Sequence, residues 1–171
     1  MALTSFLLTT EIDTPLGGML AAAALTGICL LEFRSERLLT QMTSLSRRFQ
    51  SETRPGNSIY LEQMTIELQE YFAGQRKEFT TPLALRGSPF QQAVWDLVRQ
   101  IPYGETRSYL HVARQLGKPA AARAVGSANG SNPISIVIPC HRLVHTDGGL
   151  DGYGGGVWRK EWLLRFEENM R

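Results

Sequence analysis

The sequence predicts an α+β protein: a small N-terminal α/β unit over residues 1–85, then a mainly α C-terminal unit over residues 86–171 with a helix-turn-helix. Three observations predict it. Short apolar runs separated by turn residues fill the start of the chain. Apolar residues at three- and four-residue spacing then take over, with capping residues in front of them. Late in the chain, two short helical stretches follow one another across a single Gly-Lys-Pro turn.

In the first unit, Phe6–Thr10, Met19–Ala24 and Ile28–Phe33 read as strands, because "DTPLGG" and "LTG" between them carry turn residues. Leu38, Met42, Leu45 and Phe49 recur at helical spacing, as do Leu61, Met64, Leu68, Tyr71 and Phe72, with Gly74 as the stop. "SETRPGNS" between the two helices reads as a polar loop. Cys29 lies inside an apolar strand, where a thiol is a small, inert hydrophobe.

The second unit opens on Ser88-Pro89-Phe90-Gln91: an N-cap serine, a proline at the first helical position and a glutamine placed for a capping box. Phe90, Ala93, Val94, Leu97 and Val98 form the apolar face of this helix, which Pro102 and Gly104 stop. Ser108 starts a short helix holding Tyr109, Val112, Ala113 and Leu116, closed by Gly117, and Pro119 opens the next at once in "PAAARAVGSANG". That helix is nearly bare, with Arg123 its one charge. A helix reading the major groove displays several long polar side chains. One lined with Ala and Gly suits close approach to something narrow, a minor groove or another helix. The β-branched run Ile134–Ile138 reads as a buried strand, and Trp158, Trp162, Leu163 and Phe166 as the apolar stripe of a final helix.

A chain of 171 residues accommodates one large domain or two small ones, and 43% hydrophobic with 20% charged residues is ordinary for a globular protein. No apolar run approaches a membrane span and the first fifteen residues carry no export signal, so a cytoplasmic protein is expected. Two cysteines exclude a disulfide framework, and three histidines without clustered Cys/His spacing argue against zinc. The net charge of +2 is uneven: residues 1–85 carry −2 and residues 86–171 carry +4. Between Leu97 and Thr146, Arg99, Arg107, Arg114, Lys118, Arg123 and Arg142 face the single acid Glu105. Such an excess suits a polyanionic partner, although charge alone equally describes a solvated surface.

The chemistry concentrates in "NPISIVIPCHRLV", where the apolar run stops at Pro139 and passes directly to Cys140, His141 and Arg142. A thiol becomes a strong nucleophile when a base or a nearby positive charge favours its thiolate. On an extended chain, neighbours point to opposite faces, so His141 serves Cys140 only through a sharp turn or a relaying water. A carboxylate behind the histidine would complete the relay, and Glu161, Glu167 and Glu168 are the candidates. Downstream, "TDGGLDGYGGG" holds six glycines between Gly148 and Gly156 and does not match a phosphate-binding loop.

"IPCHRLV" closely resembles the active-site motif of the O6-alkylguanine-DNA alkyltransferases. "AARAVGSANGSNP" resembles that family's recognition helix and asparagine hinge, "IPYGETRSY" the lead into its helix-turn-helix, and "GYGGGVWRKEWLLRFE" its lid loop and last helix. The similarity runs through residues 88–167. Residues 1–85 match in general shape and in "EYFAG", which implies a ribonuclease H-like sheet with helices for the N-terminal unit.

The resemblance implies that Cys140 accepts an alkyl group, with His141 as its water-mediated base and Glu167 orienting the histidine. Asn132 would brace the turn behind the site, and Tyr109 would donate to the leaving guanine. Leu143, through its carbonyl, would receive the guanine amine, and Tyr153 and Gly154 would form a pocket wall. Arg123 would fill the gap left by the extruded base, with Ala122, Gly126 and Ser127 beside it on the DNA. The implied partner is double-stranded DNA containing O6-alkylguanine, bound through the minor groove by a monomer without cofactor or metal. O4-alkylthymine is a second implied substrate. Gly154 stands where some relatives carry serine, and the implied contact there is a backbone N–H. No four-cysteine zinc segment is present, so methyl-phosphotriester repair by that route is not expected. Two other readings compete: a protein that flags alkylated bases without chemistry, which the presence of Cys140 opposes, and a Cys–His hydrolase, which leaves the helix-turn-helix and Arg123 unexplained.

Overall fold

The structure is a computed structural model that describes residues 5–150 and 152–171. The chain divides between Arg86 and Gly87 into two compact units.

In the first, β1 (Leu7–Ile12), β2 (Met19–Ala24) and β3 (Gly27–Phe33) form an antiparallel meander. β4 (Thr53–Pro55) runs parallel to β1, giving the order β3-β2-β1-β4. All seven residues of β3 are buried, and the segment Pro82–Ala84 covers its outer edge. Ile28 donates to the Pro82 carbonyl at 2.9 Å and Ala84 donates to the Ile28 carbonyl at 2.8 Å. Gly27 permits this approach: a Cβ there would lie 2.4 Å from the Pro82 oxygen. α1 (Leu38–Phe49) lays Leu38, Met42, Leu45 and Phe49 against Leu7, Ala22, Cys29 and Leu30. α2 (Ile59–Phe72) is capped by Ser58 and buries Leu61, Met64, Leu68 and Tyr71. It also buries Glu67, whose carboxylate accepts from the backbone and hydroxyls of Thr80 and Thr81.

The loop expected over "SETRPGNS" contains β4. Pro55 disfavours a strand, but β1 offers an unpaired edge: Leu7 donates to the Glu52 carbonyl at 2.8 Å and Gly56 to the Thr9 carbonyl at 3.0 Å. Pro55 is tolerated because an edge strand has one side free of ladder bonds.

The second unit holds α3 (Pro89–Arg99), α4 (Tyr109–Gln115), α5 (Ala122–Gly130) and α6 (Val157–Asn169). The two-residue strands β5 (Arg107–Ser108) and β6 (Leu143–Val144) pair in parallel. α3 carries the complete Ser88–Gln91 capping box and buries Val94, Trp95 and Val98. The helix-turn-helix is α4 and α5, with Gly117 at φ +70° and one 3₁₀ turn, Pro119–Ala121, between them.

Two expectations fail here. Ile134–Ile138 is a buried turn, not a strand: Ile138 donates to the Ile134 carbonyl at 3.0 Å, Val137 to the Ser135 carbonyl at 2.9 Å, and Ile136 sits at φ +72°. The β-branched run reports burial, which Ile134, Ile136 and Ile138 share, and not extension. A β-branched residue at positive φ costs about 1–3 kcal/mol, and Asn132 helps to hold it by accepting from Ile134 N–H and donating to the Ile138 carbonyl. The apolar stripe on α6 is also different. Its buried face is Lys160, Leu163 and Glu167, while Trp158 is 56% exposed and Trp162 stacks on Phe166 with ring centres 4.9 Å apart. The polar members of that face have partners inside the unit, described below.

Candidate active site

Cys140, His141 and Arg142 form a 3₁₀ turn, not the end of a strand. Three residues per turn swing neighbours about 120° apart, which removes the objection that adjacent side chains face opposite ways. Cys140 is 6% exposed and His141 fully buried. Both backbone groups of Cys140 are held: its N–H donates to the Ile138 carbonyl at 2.7 Å, and its carbonyl accepts from Leu143 N–H and from Asn129 Nδ2 at 3.2 Å.

Behind the turn lies an ionic hub. Glu167 Oε1 is 2.8 Å from His141 Nε2 and 2.9 Å from Arg142 Nη2, and Oε2 accepts from Arg142 Nε at 2.9 Å and Gly104 N–H at 3.3 Å. Arg142 Nη1 donates to the Ile101 carbonyl at 2.7 Å. Arg142 is thus committed to Glu167 and Ile101 rather than aimed at the thiol. Of the three acids open from sequence, Glu167 is the one bonded to His141; Glu161 pairs with Arg165, and Glu168 is exposed. Burial raises the Glu167 carboxyl, but His141 and Arg142 outweigh it and hold the group well below its usual range. Burial also pushes His141 down, against the pull of Glu167 and with help from Arg142 and Lys160, so the ring is neutral. A neutral ring facing a carboxylate puts its one proton on Nε2. Nδ1 therefore carries a lone pair; it is buried and makes no hydrogen bond within the described residues.

Tyr109 reaches this region because β5 pairs with β6: Ser108, opposite Val144, caps α4 by accepting from His111 N–H, and Tyr109 follows it. Buried Lys160 on α6 donates to the Tyr109 hydroxyl oxygen at 3.4 Å. The Tyr109 ring lies 5.3 Å from that of His145, and a Cβ at Gly126 would sit 3.8 Å from it, so α5 approaches Tyr109 with no side chain between.

The structure thus joins Cys140, His141, Glu167 and Asn132 through one turn and one hub, with Tyr109 held by Lys160. Leu143 is fully buried in β6. Arg123 and Ser127 are exposed on α5, and Ala122 and Gly126 are half-buried there. Tyr153 and Gly154 are half-buried in the segment between β6 and α6. Sequence reasoning missed Lys160, Asn129 and the structural use of Arg142. Lys160 and Glu167 were visible as polar residues at i and i+7 around Leu163, a face spacing that the aromatic residues of α6 outshone.

The sequence model for the 6-O-methylguanine DNA methyltransferase DNA-binding domain matches residues 89–169, and that for its ribonuclease-like domain matches residues 7–85. A methylated-DNA–protein-cysteine methyltransferase of Shigella flexneri is 45% identical over 176 residues, covering 94% of this chain and 95% of that protein. The chain belongs to the methylated-DNA–protein-cysteine methyltransferase family.

A second methyltransferase of this family, from Mycobacterium bovis, is 44% identical over 161 residues, covering 92% of this chain and 90% of its own. Among solved structures, Mycobacterium tuberculosis OGT in complex with DNA superposes with a TM-score of 0.82 at 41% identity, over 95% of this chain and 94% of that one. The methyltransferase fold expected from sequence, a ribonuclease-like sheet unit followed by a helical unit, is the fold observed. Among the described residues no helix is long and apolar enough to cross a membrane.

Proposed function

We propose that this chain repairs DNA by moving the alkyl group of O6-alkylguanine, and of O4-alkylthymine, onto Cys140, once per molecule. The observation that carries the reading is a cysteine held in a rigid turn beside a neutral histidine whose far nitrogen is bonded to a buried carboxylate, in a chain of this family. Glu167 fixes the Nε2–H tautomer, and Nδ1 takes the Cys140 proton through one water. The thiolate attacks the alkyl carbon in line; the C–S bond forms as the C–O bond breaks, and the electron pair passes to the guanine oxygen and ring. Tyr109 donates its proton to the departing base. Lys160 donates to the Tyr109 oxygen, and its positive charge favours loss of the Tyr109 proton. The thioether has no exchange route back to a thiol, so the protein is consumed.

Double-stranded DNA is the partner, a reading supported by the DNA complex of the M. tuberculosis relative. The small-residue surface of α5 enters the minor groove, and Arg123 fills the gap left when the damaged nucleotide swings out. Leu143 accepts from the base amine through its carbonyl, Tyr153 and Gly154 wall the pocket, and Ala122, Gly126 and Ser127 line the DNA contact. Residues 86–171 carry DNA binding and chemistry, and residues 1–85 serve as scaffold. The protein works as a cytoplasmic monomer and needs no cofactor.

Intact-mass measurement after mixing with a duplex containing O6-methylguanine tests this. One methyl group gained per protein, on the peptide containing Cys140, is the expected result, and Cys140→Ser abolishes it. Binding with no mass change, or repeated turnover, refutes the proposal.

A further inference from the structure

We infer that Asn129 is a positioning residue for the acceptor cysteine, locking the Cys140 turn to the helix that carries Arg123. The inference rests on the proposed transfer to Cys140. Asn129 lies on α5, 5% exposed, and its Nδ2 donates to the Cys140 carbonyl at 3.2 Å. Its Oδ1 is buried and has no hydrogen-bond partner among the described residues. A buried acceptor left unsatisfied is destabilising, so packing alone would be better served at this position by an apolar side chain. What the asparagine adds is the donor on Cys140.

The donor matters because of where it acts. Cys140 N–H is tied to Ile138, and the Ile138 carbonyl is in turn gripped by Asn132 at 2.8 Å. Asn129 and Asn132, three residues apart at the end of α5, thus bracket the nucleophile: one holds the carbonyl of Cys140, the other the residue that receives its N–H. With both backbone groups fixed, the Cα–Cβ bond has one direction, and an in-line displacement depends on that direction. Asn129 acts through the Cys140 backbone.

Single-turnover transfer with the full chain separates this role from folding, because two quantities are read at once. The final fraction alkylated counts competent molecules, and the rate constant reports how well the sulfur is placed in them. Asn129→Asp keeps the shape and puts a second oxygen against the Cys140 carbonyl; Asn129→Ala removes the amide without adding charge and decides the matter if the aspartate chain fails to fold. The expected result is a rate constant about tenfold lower, equally on O6-methylguanine duplex and on the free O6-methylguanine base. The affinity for undamaged duplex stays within twofold. A reduced final fraction with an unchanged rate constant assigns Asn129 to folding alone and overturns the inference. A loss confined to duplex, with weakened binding, assigns it to DNA contact and also overturns it. Wild-type protein that gains no methyl on Cys140 sinks the transfer reading itself, a failure recognisable before any variant is made.

Discussion

Replacing Glu167 with glutamine keeps the side chain's outline and removes its charge, which makes it the most informative perturbation of the hub. The carboxylate is 1% exposed and its Arg142 partner 8%, so solvent does little to screen what is lost. Glu167 accepts two bonds from Arg142 and one from His141, and glutamine offers one acceptor oxygen where the carboxylate offered two. Removing one partner of a buried ion pair costs about 3–5 kcal/mol, a large share of the roughly 5–15 kcal/mol that holds a domain folded. The three tryptophans, Trp95, Trp158 and Trp162, all lie in the second unit, so urea unfolding followed by tryptophan fluorescence reads this unit selectively. At about 1–3 kcal/mol per molar urea, the midpoint falls by at least 1 M. Transfer suffers separately. When the new amide N–H faces His141 Nε2, the ring's own proton moves to Nδ1 and the base is lost, a cost of roughly 10²–10⁴ in rate. The acid limb also flattens. In the wild type the depressed Glu167 contributes stability above its unfolded value, and that stability is lost as pH falls toward its lower folded value. A stability change under about 1 kcal/mol, or a transfer rate within threefold of wild type, refutes the relay built on this residue.

Because burial lowers the proton affinity of His141, the single-turnover rate stays flat as pH drops through 6.5; a decline centred at or above 6.5 shows that the ring protonates like a free histidine. The same depression makes the unfolded chain bind the extra proton first, so urea midpoints decrease as pH falls from 7 toward the folded value. Burial pushes the Cys29 thiol up to about 12, so maleimide at pH 8 leaves Cys29 unlabelled in the native protein and labels it after unfolding; native labelling of the Cys29 peptide contradicts its burial in β3. Arg123 is exposed, so Arg123→Ala alters stability by less than about 0.5 kcal/mol while weakening repair of duplex more than reaction with the free base. Equal losses on both substrates remove its proposed role in the DNA.

The local signals were strong enough to read wherever one short segment decides the outcome. The meander, the capping box at Ser88, the helix-turn-helix and the bare surface of α5 all follow from periodicity, caps and breakers within about a dozen residues. Proximity of the cysteine and histidine was legible for the same reason, since they are neighbours in the chain. Where the reading failed, specific hydrogen bonds, one set from a distant strand and one from a nearby asparagine, had outvoted backbone preference. "SETRPGNS" holds a strand because β1 presents an open edge, and Ile134–Ile138 turns because Asn132 supplies the bonds that a neighbouring strand would otherwise have provided.

By itself, then, the sequence determined the inventory: two units, a helix pair suited to a narrow groove, and a thiol with a histidine beside it. Spacing left three acids open behind that histidine and the resemblance implied Glu167; tertiary structure alone decided that Arg142 serves the acid and not the thiol, and that Lys160 and Asn129 turn inward. Spacing along a chain sets which residues share a face. Hydrogen bonds and ion pairs between residues 11 to 51 positions apart exist only once the faces have packed.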